Sequence, residues 1–185
     1  MQRLNAVNPA EATGKAKQLL DGVQAKIGMT PNLMKTLANG PAALEAYLNL
    51  SAALSTGKLD ARFREQIALA VAQANSCEYC LAAHSAIGKM TGLTPEQIAA
   101  SRAAHSEDAR RDAGLQFVQA LVVQRGVVSD QEIAQVKAAG FSDGEIAEMV
   151  ANVAMNIFTN YFNHVASTDV DFPRVDRNVP ALAHR

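Results

Sequence analysis

Three times in its second half the chain carries the same helix-start signal. Thr94-Pro95-Glu96-Gln97, Ser129 with Glu132, and Ser142 with Glu145 each set a hydroxyl three residues before an acid or amide. In such a capping box the hydroxyl accepts the third backbone N–H while the longer side chain reaches back, satisfying two orphan donors. A stop signal stands just before each of them, at Gly92, Gly126 and Gly140. Between these marks apolar residues recur every three or four positions, and no run alternates with period two between hairpin turns. The chain is therefore predicted to be all-α, a compact bundle of about eight or nine helices.

The first half obeys the same grammar. Asn8-Pro9 and Thr13 offer starts for a helix carrying Leu19, Leu20, Val23 and Ile27 to Gly28. Thr30-Pro31 and Gly40-Pro41 place prolines at helix beginnings, opening segments Asn32–Asn39 and Ala42–Ser55, the latter closed by Gly57. Asp60 caps a helix bearing Glu65, Ile67, Leu69 and Val71 towards Asn75-Ser76, and a further helix runs from Cys77 through Leu81 and Ile87 to Met90. Ser106 is expected to cap a long helix through Phe117, Leu121 and Val122, and a last long helix is expected to reach about Ala166. The tail from about residue 167, with Pro173 and Pro180, reads as irregular.

At 185 residues, residues 1–185 are read as one domain, able to bury about 70 % of its unfolded surface. Alanine is plentiful and tryptophan absent, so close helix–helix approach is the expected way of filling the core. A net charge of −1 argues against nucleic acid as a partner, since the basic stretch from Arg102 to Arg111 is interleaved with Glu107 and Asp108. No run approaches the roughly 18–20 apolar residues of a membrane span, and the N-terminus lacks the apolar centre of a secretory signal. A cytoplasmic location is expected, where two close cysteines are catalytic or metal-binding more often than a structural staple. Ala-Thr-Gly-Lys at 12–15 lacks the upstream glycine and the preceding strand of a phosphate loop.

Both cysteines lie in one stretch, as Cys77-Glu78-Tyr79-Cys80, followed four residues on by His84 and preceded by Glu65. With Cys77 at a helix start, Cys77, Cys80 and His84 share one helical stripe, and Cys80 and His84 are i,i+4 neighbours. A helix N-terminus favours thiolate. In thioredoxin-like proteins the first cysteine attacks; here the imidazole stands one turn after the second, so Cys80 is read as the nucleophile and Cys77 as its resolving partner. Glu65 is either a proton-shuttling carboxylate on the inner face or an exposed partner of Arg62 or Arg64. Two buried small hydrophobes and a zinc site are the rival readings of the cysteines. Zinc needs four ligands, and His105, His164 and His184 are isolated in sequence; no metal or other cofactor is expected. A c-type haem is excluded because Leu81 follows Cys80.

Glu65, Cys77, Cys80 and His84, embedded in an Ile-Ala-Leu-x-Val-Ala helix, resemble the core of the alkylhydroperoxidase D family within the carboxymuconolactone decarboxylase superfamily. The likeness covers about residues 60–100. It implies a metal- and haem-free thiol peroxidase acting on organic hydroperoxides: Cys80 attacks the O–O bond, Cys77 closes a disulfide, and Glu65 and His84 relay protons. It also implies a dithiol reductant, such as a lipoyl-domain protein, and a homo-oligomer, a trimer or hexamer. Tyr79 stands where the best-studied type has a histidine. A non-catalytic redox sensor and a general disulfide oxidoreductase are the alternatives built on the same cysteines.

Two further patterns remain. Asn152, Asn156, Asn160 and His164 recur every four residues, a stripe that either meets helix ends and subunits or lines the dithiol pocket. Ile67-Ala68 and Val71-Ala72 recur as Ile146-Ala147 and Val150-Ala151, a faint sign of duplication that sets Cys77 on Asn156, Cys80 on Thr159 and His84 on Asn163.

Overall fold

Capping chemistry accounts for where the helices begin. The computed structural model describes residues 2–176; Pro180 and His184 lie outside them. Among the described residues there are nine helices and no strands. They are α1 (Gly14–Ile27), α2 (Asn32–Leu37), α3 (Pro41–Ser55), α4 (Ala61–Ala74), α5 (Glu78–Met90), α6 (Pro95–Arg102), α7 (Ala109–Val123), α8 (Asp130–Ala138) and α9 (Asp143–Ala166). All three capping boxes form, with both reciprocal bonds present at Thr94/Gln97, Ser129/Glu132 and Ser142/Glu145. Ser106 is a correction: α7 is capped by Asp108, whose carboxylate accepts the Arg111 N–H at 2.9 Å. Ser106 stands two residues before that cap, its hydroxyl accepting from the Asp108 N–H. The second helix also stops early, because the Asn39 side chain donates to the Asn5 and Thr36 carbonyls.

α4 is the central element, packed against α5, α6, α7 and α9. Ile67, Leu69 and Val71 are fully buried, and Ala68, Ala70 and Ala72 fill the positions between them. Burying each large side chain contributes about 1.5–3 kcal/mol, and the alanines let neighbouring axes approach on every side. On one flank a cluster of Phe63, Ile67, Leu115, Val118, Phe141 and Met149 joins α4 to α7 and α9. Gly114 permits that approach, since a Cβ there would lie 2.7 Å from the Phe63 ring and 2.9 Å from Phe141. On the other flank Leu20, Leu37, Leu44, Tyr79 and Leu81 form a second cluster that includes Cys77 and Cys80.

α9 runs unbroken through residues 154–156, where the offset of the faint repeat would set a copy of the α4–α5 turn. The helix–turn–helix around the cysteines has no counterpart there. After α9, residues 167–176 carry no helix and fold back over the start of α5. Asp171 accepts the Asn32 N–H at 2.7 Å, and Phe172 meets the Tyr79 ring edge-on at 5.8 Å between centroids. No helix among the described residues is long and apolar enough to cross a membrane.

Candidate active site

The site begins at the turn between α4 and α5. Ser76 adopts a left-handed conformation, φ 54°, which lets the Cys77 N–H reach the Ala72 carbonyl at 2.9 Å and the Ser76 N–H reach Gln73 at 3.0 Å. This is a Schellman closure with serine where glycine is usual. It makes Cys77, the third residue after α4, the N-cap of α5, its sulfur accepting the Cys80 N–H at 3.3 Å. The two cysteines are joined as a disulfide, with Cα atoms 5.3 Å apart. Both are buried, 1 % and 3 % exposed.

One turn beyond Cys80, His84 Nδ1 lies 2.8 Å from a Glu65 carboxylate oxygen of α4. The side chains of His84 and Glu65 are 20 % and 17 % exposed. Arg62 donates instead to Gln97 and Arg64 to the Leu59 carbonyl, so the exposed-pair alternative for Glu65 fails. The hydrogen bond fixes the ring of His84 and leaves Nε2 as its second proton site. Glu65 and His84 line a hollow of about 210 Å³ together with Tyr47, Ser51, Asn152 and Asn156. Burial, with the nearby Glu65 carboxylate, pushes the Tyr47 hydroxyl up to about 12, so it stays a neutral donor.

The asparagine stripe divides. Asn152 and Asn156 line that hollow, while Asn160 accepts from the Asn75 side chain at 3.0 Å. His164 Nε2 lies 2.9 Å from the Asn75 carbonyl. The stripe therefore buttresses the α4–α5 turn and walls the site. Sequence reasoning left Asn163 out of the stripe. Its amide donates to Cys80 Sγ at 3.3 Å, and it lies one turn after Asn160, so following three-residue as well as four-residue steps would have found it.

Cys77 lines a separate cleft of about 320 Å³, together with Tyr79, Asn163, Thr168, Asp169 and Arg174 among others. Tyr79 is one wall of it. Its hydroxyl accepts the Leu33 N–H at 3.1 Å, and burial raises its pKa well above the usual phenol value, with Asp171 adding to the effect. A larger hollow of about 500 Å³ beside α6 is lined by Gln66, Glu96 and His105 and holds no cysteine. Among the described residues no three His, Cys, Asp or Glu side chains are grouped to hold a metal ion.

Fold and site together define an all-helical dithiol protein, with a Cys-x-x-Cys pair at a helix start and a carboxylate–imidazole pair one turn away. Residues 41–121, which hold all four motif residues, match the carboxymuconolactone decarboxylase family, and the resemblance read from the motif is borne out. Among solved structures the chain is similar to an alkylhydroperoxidase AhpD core, an uncharacterized peroxidase-related protein from Ralstonia eutropha JMP134. The TM-score is 0.82 and the identity 26 %, over 92 % of both chains. It shares its fold with an uncharacterized peroxidase-related protein from Silicibacter sp. TM1040 (TM-score 0.80, 22 % identity, 91 % of both chains). It shares it also with a cysteine-to-alanine variant of the debrominase Bmp8 in complex with 2,3,4-tribromopyrrole (TM-score 0.78, 18 % identity, 91 % of both chains). No curated protein matches the chain.

Proposed function

We propose that this protein is a thiol-dependent peroxidase that reduces organic hydroperoxides through a disulfide cycle on Cys77 and Cys80. The observation that supports it most is the 2.8 Å Glu65–His84 bond one turn beyond a buried cysteine. In the reduced protein the Cys80 thiolate attacks the peroxide oxygen and the O–O bond breaks. His84, oriented by Glu65, delivers a proton to the departing alkoxide, leaving alcohol and a sulfenic acid on Cys80. Cys77 then attacks the Cys80 sulfur, the sulfenic oxygen leaves as water with a relayed proton, and the disulfide closes. A dithiol donor, with a lipoyl-domain protein the first to try, returns both sulfurs to thiols.

The same reading includes self-association. Val150, Phe158, Tyr161 and Val165 form an exposed apolar stripe along α9, an area that a second copy of the chain would cover. Location in the cytoplasm fits a site that is re-reduced in every turnover.

The test is steady-state reduction of cumene and tert-butyl hydroperoxide, with thioredoxin, glutaredoxin and lipoyl-domain donors side by side and 2,3,4-tribromopyrrole as a separate substrate. Repeated peroxide turnover is expected, lost in Cys80→Ser, while Cys77→Ser carries a dimedone-trappable sulfenic acid on Cys80. Near-parental rates in Cys80→Ser overturn the assignment of the nucleophile. A single oxidation without turnover marks a sensor, and insulin reduction independent of peroxide marks a general disulfide oxidoreductase.

A further inference from the structure

Cys77 and the Glu65–His84 pair line different cavities. Cys77 lines the cleft of about 320 Å³ on the side of residues 163–174. Glu65 and His84 line the separate hollow of about 210 Å³, which no residue of that cleft lines. The cleft also holds hydrogen-bonding capacity that the protein itself leaves unused. Asn163 and Thr168, 5 % and 8 % exposed, both line it, and neither Asn163 Oδ1 nor the Thr168 hydroxyl has a partner among the described residues. A buried polar atom without a partner costs free energy unless something fills it, which marks the cleft as a place built to be occupied.

We infer that a dithiol reductant enters through the Cys77 cleft and attacks Cys77 Sγ, while Asn163 holds the departing Cys80 thiolate, so that reductant and peroxide use separate mouths. The inference rests on the disulfide cycle proposed above. A donor thiolate forms a bond to Cys77 Sγ; the Cys77–Cys80 bond breaks, and its electron pair leaves on Cys80. The Asn163 amide, already 3.3 Å from that sulfur, donates to the new anion, as hydrogen bonds to charged acceptors are the stronger kind. The donor's second thiolate then attacks the donor sulfur of the mixed disulfide. The donor becomes a disulfide, and Cys77 leaves as thiolate at the α5 N-terminus, where the Cys80 N–H meets it at 3.3 Å. Two electrons pass from donor to protein, and the two donor protons balance the thiols that form. Each leaving sulfur thus has its own fixed donor, and the sulfur attacked is that of the cysteine lining the cleft.

The test uses the oxidised full-length protein and dithiothreitol, with acid quench and alkylation counting the free thiols over time. Asp169 is exposed on the cleft rim, so Asp169→Trp obstructs the cleft from a position that tolerates substitution. Reduction at least fivefold slower is expected, and a smaller change overturns the inference. In the single-cysteine variants, Cys77 of Cys80→Ser forms a mixed disulfide with a chromogenic aryl disulfide at least fivefold faster than Cys80 of Cys77→Ser; the opposite order overturns it. Asn163→Ala in the Cys77→Ser background moves the pH at which the Cys80 thiolate forms upward, read by the alkylation rate, and an unmoved profile overturns the role given to Asn163. None of these measurements needs peroxide, so a protein inert towards peroxide still reports on the route of reduction.

Discussion

At Glu65 the same letter in the sequence supports two opposite roles. Beside Arg62 and Arg64 it reads as a surface ion pair; with Cys-x-x-Cys and a helix-spaced histidine downstream it reads as part of a relay. The fold removes the ion pair by turning both arginines towards other acceptors and sets Glu65 against His84. Glu65→Gln keeps the shape and removes the charge that orients the imidazole. Thiol oxidation by tert-butyl hydroperoxide at pH 7 is expected to slow by about a hundredfold, the low end of a general acid–base contribution, with the helical CD spectrum unchanged. An unaltered rate returns Glu65 to a structural role. Asn163 was less legible, because it falls three residues after Asn160, off the four-residue repeat, and its contact with Cys80 exists only once α5 is placed against α9.

The elements were legible wherever local chemistry specifies them. The Ser142–Glu145 box forms as its sequence predicts because both partners lie within one turn. Ser106 misled because a serine and an aspartate two residues apart can both cap, and only the direction of the chain into α7 selects Asp108. The α9 box carries a pH signature. The Ser142 N–H and hydroxyl and the Arg110 guanidinium hold the Glu145 carboxyl down to about 2, against an ordinary 4.5. A depressed carboxylate stabilises the fold fully above its unfolded value and loses that contribution as pH falls. Glu145→Gln should therefore unfold at a lower urea concentration than the parent at pH 7. The gap should close between about pH 4.5 and pH 2. Midpoints measured across that range check it, and a gap that persists at pH 2 contradicts it.

Across the whole molecule, α4 stands at the centre because residues 67–72 are all alanine or aliphatic, so four helices can crowd it. That arrangement carries Glu65 from one helix and His84 from the next to the same hollow, while α9 closes the back with asparagines. The outward stripe of α9 is apolar, and it is there that assembly is expected to be sensitive. Phe158→Arg with Tyr161→Arg should shift the protein towards monomer in sedimentation-velocity runs without loss of helix content. An unchanged sedimentation coefficient assigns the stripe no part in assembly.

The sequence by itself determined the all-helical class, most helix limits, and the four residues proposed for the chemistry, since caps, periodicity and motif spacing are local properties that need no partner. Only the tertiary structure decided that Glu65 meets His84, that an amide of α9 touches Cys80, and that Cys77 lines a different cavity from Glu65 and His84. Those facts depend on how distant helices pack, and packing is set by the fit of whole surfaces, which no short stretch of sequence records.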